Sequence, residues 1–187
     1  MSPFFRLKTA AARAANRLRR NQSASAAVEF ALVAPLFFAL LFAIIETGLV
    51  FFASQSLETA VQDSARTIMT GQAQVADYDK QGFKKNVVCP NVSVLFNCTS
   101  GIYVDVQNYP SGFGSVTIDD PITDGNFVDR TQYSPGGPCA IVVMRLFYQW
   151  PLFVTRLGYN IANLSGGERL LSATAAFKNE PFNGGCP

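Results

Sequence analysis

Residues 23–71 read SASAAVEFALVAPLFFALLFAIIETGLVFFASQSLETAVQDSARTIMTG, a run that changes character halfway along its length. Residues 30–45 carry no charge, and the apolar character resumes from Thr47 to Ala53. A helix rises about 1.5 Å per residue and a bilayer core is about 30 Å thick, so a crossing takes about twenty residues. The run is therefore long enough to span only if Glu46 is accommodated within it. Pro35 would kink a soluble helix, but a transmembrane helix tolerates it where the freed carbonyl finds another partner. Beyond Ala53 the pattern turns amphipathic: Leu57, Val61, Ala65 and Ile68 share one face, and Glu58, Gln62, Asp63 and Arg66 fall elsewhere. Gly71 supplies a C-terminal stop. The expectation is one continuous helix over roughly residues 25–70, apolar all round in its first half, with its second half lying against a folded domain.

Upstream of this run the charge is one-sided. Arg6, Lys8, Arg13, Arg17, Arg19 and Arg20 precede Val28 with no acidic residue among them, whereas the chain after Ala53 is net acidic. A basic tail without a folded basic face or interleaved aromatics is a poor nucleic-acid surface. Placed directly before an apolar segment, it fits the positive-inside rule, as a charged leader that sets topology or a short basic helix at the membrane surface. A cleaved secretory signal would need a shorter apolar region ending at a small-x-small site, and Phe51-Phe52-Ala53 does not provide one.

Downstream, 187 residues leave room for one modest domain. A weak helical pattern at Tyr78, Phe83, Val87 and Val88 is broken by Cys89-Pro90. IYVDVQNY (102–109) alternates as a half-buried strand, CAIVVMRLFYQWPLF (139–153) reads as a central strand closed by Pro151, and RLLSATAAFKNEPF (169–182) as a last one. The expected class is α+β: a long membrane-spanning helix, then a small domain with an antiparallel sheet of about three or four strands. The segments are a basic cytoplasmic leader (1–24), the helix (25–72) and an extracytoplasmic domain (73–187).

Cys89, Cys98, Cys139 and Cys186 all follow the apolar run, so export to an oxidising compartment implies two disulfides with three possible connectivities. A local Cys89–Cys98 bridge is the natural expectation, leaving Cys139 to pin the last segment through Cys186. Zinc would want clustered CxxC-type spacing, and a redox-active pair would want CxxC at a helix N-terminus. Histidine is absent, which removes Ser-His-Asp and Cys-His catalysis and the commonest metal ligand. Asp119, Asp120 and Asp124 sit in an acidic loop whose spacing fails the EF-hand pattern and reads as solvated turns. Phe147, Tyr148, Trp150 and Phe153 read as core or as an inter-subunit patch. No catalytic residue, cofactor or metal is expected.

Glu29 is the sharpest single signal, because an ionisable side chain at the mouth of a membrane helix needs a polar partner or a shallow position. Glu46 reads as the opposite boundary, at the outer interface within reach of water. The stretch SASAAVEFALVAPLFFALLFAIIETG (23–48) resembles the N-terminal signature of the TadE-like family, the pseudopilins of the tight-adherence branch of type IV pili. That resemblance implies removal of the leader by a prepilin peptidase between Ala24 and Ser25, where the family usually carries glycine before the cut. It makes Glu29 the fifth residue of the mature chain, followed by the aromatic Phe30, and it implies pairing of Glu29 with the freed amine of a neighbouring subunit. The implied partners are the prepilin peptidase, other pilus-assembly membrane proteins and pilins, and the lipid bilayer. The implied location is the inner membrane, crossed once, with the domain in the periplasm. The rival reading is an uncleaved single-pass anchor whose domain binds a partner.

Overall fold

The structure, a computed structural model, describes residues 22–92, 94–110, 112–154, 159–182 and 185–186, with backbone alone for 22–25. The basic leader, with its alternatives of surface helix or charged tail, lies outside the described residues. The chain divides into two compact units, Met1–Ile45 and Glu46–Pro187.

In the first unit the described residues belong to helix α1 (Gln22–Met69), which continues through Pro35 without a break. Its large apolar side chains point outward: Phe30, Leu32, Val33, Leu36, Phe37 and Leu40 are all exposed. Contacts among them are local, Phe37 with Phe38 at 5.5 Å and Phe38 with Phe42 at 6.2 Å between ring centroids. A helix apolar on every side and covered on none has no aqueous explanation. From Ala26 it is long and apolar enough to cross a membrane.

In the second unit the amphipathic expectation holds: Leu57, Val61, Ala65 and Ile68 are buried, Gln62, Asp63 and Arg66 are exposed, and Glu58 is partly exposed. α1 ends where Gly71 takes a left-handed conformation, φ 77°, with its N–H donating to the Ile68 carbonyl at 3.0 Å. A short helical stretch follows, α2 (Lys80–Phe83), a π-helical turn (Lys84–Val88) and α3 (Cys89–Asn91). Cys89-Pro90 thus does not break the helix, contrary to expectation. Proline clashes with the carbonyl four residues back, and the wider π-turn placed just before it accommodates that carbonyl.

The main sheet has three antiparallel strands, β1 (Ile102–Tyr109), β4 (Ile141–Pro151) and β5 (Glu168–Lys178), in the order β1-β4-β5. A ribbon of β2 (Ile122–Thr123) and β3 (Asn126–Phe127) lies apart from it in the pairing. The central strand therefore begins two residues later than the pattern suggested, because Cys139 has φ 61°, outside the strand region. The last strand stops at Lys178 and not at Phe182; from there Asn179 donates to the Ala140 carbonyl at 2.9 Å and Glu180 to the Met69 carbonyl at 2.8 Å.

Register explains the core. Val104 faces Leu146 and Val106 faces Met144 across β1–β4, while Leu146 faces Ala173 and Met144 faces Ala175 across β4–β5. All are buried on one sheet face and cluster with Leu57, Val61 and Ile68 of α1. The opposite face holds a smaller cluster of Phe147, Leu164 and Leu170, with Tyr103, Ile122 and Phe127 packed on it.

Candidate functional site

The residues singled out for assembly lie on α1. Ala24 and Ser25 fall within its first turn, and Glu29 and Phe30 are exposed one turn later. Among the described residues Glu29 has no hydrogen-bond or ion-pair partner.

Glu46 corrects the expectation made for it. It is 5% exposed, and its carboxyl group accepts hydrogen bonds from the backbone N–H groups of Phe153 and Val154, the latter at 3.1 and 3.2 Å to its two oxygens. Both donors lie just past Pro151, where β4 ends and the ladder no longer satisfies them. A buried carboxyl group is tolerable when its lone pairs are occupied in this way. Next to it, the Thr47 and Tyr159 hydroxyls are 2.9 Å apart. Glu46 is therefore a structural anchor for the chain after β4 and not a water-exposed boundary marker. Nothing in the local sequence of residues 151–154 announces a carboxylate partner 107 positions away.

The cysteines pair as expected, Cys89 with Cys98 and Cys139 with Cys186. The acidic loop serves its own turns: Asp120 accepts from the Ile122 N–H at 2.8 Å, and Asp124 adopts φ 51° at the β2–β3 turn. Of the aromatic residues, Phe147 is buried, Tyr148 and Trp150 form an edge-on group with Phe96 at 4.9 and 5.9 Å, and Phe153 is 80% exposed.

A buried ion pair escaped the sequence reading. Asp105, 1% exposed, sits opposite Arg145 in the β1–β4 register and accepts from its Nε at 2.9 Å and its Nη2 at 2.7 Å. The same carboxylate accepts from the Gln132 N–H at 2.8 Å and from the Gln107 amide at 3.1 Å. The alternation of β1 placed Asp105 on the polar face, and its opposite charge on another strand was the available signal. A cavity of about 380 Å³ opens beside the pair, lined in part by Asp119, Arg130 and Phe127. Elsewhere, burial and the nearby Asp79 charge push the Tyr133 phenol up to about 12. Burial lowers Lys84, helped by Lys80 and opposed by Asp129. Asp129 is pushed up by burial but held below the usual carboxylate range by Thr131, through its hydroxyl and its N–H, and by Lys80 and Lys84.

With this geometry in view, the family model described as TadE-like protein matches residues 24–66. This segment is TadE-like. The match begins at Ala24, contains Glu29 and Phe30, takes in the whole uncharged run and Glu46, and ends within the amphipathic half of α1. The disulfide-bearing sheet domain lies outside it. No curated protein and no solved structure matches the chain.

Proposed function

We propose that the chain is a pseudopilin or minor pilin that takes part in assembling a tight-adherence pilus, acting by helix packing and not by catalysis. The observation that carries this reading is the TadE-like match over residues 24–66, whose first half is an apolar helix with its large side chains exposed. A prepilin peptidase removes the basic leader between Ala24 and Ser25. Glu29 then stands fifth in the mature chain, and the Ser25 amine of one subunit pairs with Glu29 of another while Phe30, Leu36, Phe37 and Leu40 pack between helices. An opposite charge offsets the cost of leaving a carboxylate in lipid. The one-sided basic leader supports an inner-membrane placement with residues 1–24 in the cytoplasm and the domain from residue 73 in the periplasm. The two disulfides fit that oxidising compartment. Partners are the peptidase and the other pilins and membrane proteins of the assembly.

Intact mass and N-terminal sequencing of the protein from its native membrane, with and without the co-resident prepilin peptidase, test the reading. The expected result is a chain beginning at Ser25 only when the peptidase is present. A Met1 terminus under both conditions would sink the cleavage mechanism and leave an uncleaved single-pass anchor.

A further inference from the structure

An α1 that spans the bilayer must solve a length problem. Residues 30–45 cover only about 24 Å at the helical rise, less than the roughly 30 Å of a bilayer core. Continuing to Phe52 would cover about 34 Å, but Glu46 stands in the way. The structure removes that obstacle, since Glu46 is buried and its oxygens are taken up by the Phe153 and Val154 N–H groups. The hydrocarbon boundary is then free to fall beyond Glu46, near the exposed Leu49, Phe51 and Phe52.

What binds Glu46 must lie at the same depth. Two adjacent α1 residues hold it there, Glu46 through those N–H groups and Thr47 through its bond to the Tyr159 hydroxyl. The chain so held presents apolar and aromatic surface outward: Pro151 is exposed, Phe153 is 80% exposed and Tyr159 is exposed, whereas Trp150 packs inward on Phe96 and the core. Arg156 is the one charged residue from Gln149 to Tyr159, and none occurs from Thr47 to Leu57 on α1. Tyrosine, with an apolar body and a polar tip, belongs at the headgroup level of a membrane.

We propose that Phe153 and Tyr159 form a membrane-interface anchor that inserts into the boundary between headgroups and acyl chains where α1 leaves the bilayer, with Glu46 as its tether. The occupant is lipid, because the surface is held directly against the helix residues that follow the uncharged run. The inference rests on α1 being a span. It adds that the domain is fastened to the leaflet at a second point and does not swing freely on the helix.

Trp150 is the chain's one tryptophan, so a depth measurement needs few changes. Two full-length variants, Trp150→Phe with Phe153→Trp and Trp150→Phe with Phe42→Trp, are reconstituted in phosphatidylcholine vesicles whose acyl chains carry bromine near the headgroup or near the methyl end. The expected result is that the indole at position 153 loses most of its emission to the shallow bromines and little to aqueous acrylamide, while the one at position 42 is quenched by the deep bromines. An indole at 153 that acrylamide quenches and neither lipid does, with position 42 still quenched, would overturn the anchor and leave the span intact. If position 42 is also untouched by bromine, the span reading fails and the anchor falls with it. Adding Glu46→Ala to the first variant is expected to cut the shallow quenching severalfold; unchanged quenching would refute the tether.

Discussion

Asp105 and Arg145 show how much one buried carboxylate can organise. It holds its strand partner, the Gln107 side chain and the backbone of Gln132, so removing Arg145 leaves a charge with little water and fewer donors. Breaking such a pair from one side typically costs about 3–5 kcal/mol, whereas exposed pairs contribute little. Arg145→Ala is therefore expected to lower the denaturant midpoint strongly in chemical unfolding of the detergent-solubilised protein, and Asp105→Ala to do the same. Tyr133 is a different case, since its hydroxyl is buried with no hydrogen-bond partner among the described residues. Its folded pKa of about 12 lies above the ordinary value of 10.0, so its contribution is complete below pH 10 and disappears as pH rises towards 12, where the unfolded chain has already released its proton. Tyr133→Phe keeps the ring against Phe83 and removes the orphaned hydroxyl. Melting both proteins from pH 8 to pH 12 should show the wild type losing more stability than the variant above pH 10, with little difference below it.

At the scale of elements, α1 is one helix serving two solvents. Its first half leaves its phenylalanines and leucines exposed among the described residues, and its second half forms the floor under β1, β4 and β5. The join is Glu46, where a side chain that is costly in lipid or in a protein interior is taken up by the chain after β4. Its end is set by Gly71, where φ 77° favours glycine and an added Cβ would stand 2.6 Å from the Phe182 ring. Gly71→Ala carries a left-handed penalty of about 1–2 kcal/mol plus the displacement of Phe182. A drop in melting temperature is the expected outcome, read by circular dichroism, with the far-UV spectrum of the native state preserved.

For the whole molecule, the two disulfides are unequal. Cys139–Cys186 closes 47 residues of separation and Cys89–Cys98 closes 9. In chain-entropy terms the longer loop is worth about 4 kcal/mol and the shorter about 2.6 kcal/mol. Replacing Cys139 and Cys186 with serine should thus destabilise the domain more than replacing Cys89 and Cys98, measured as unfolding midpoints of the two double variants. Much of this architecture is legible in sequence, because periodicity and solvent preference are local properties. The uncharged run, the buried stripe Leu57-Val61-Ala65-Ile68, the Gly71 stop and the three main strands each follow from spacing within one segment. Less legible are the features that join segments remote in the chain. The Glu46 bonds to Phe153 and Val154, the Asp105–Arg145 pair and the π-turn before Pro90 depend on which backbone donors go unsatisfied and which charges are brought face to face. Sequence by itself determined an apolar helix running into an amphipathic one ahead of a cysteine-bearing sheet domain; only the tertiary structure decided where its buried charges find their partners, because a burial cost exists only once distant segments have closed around the group.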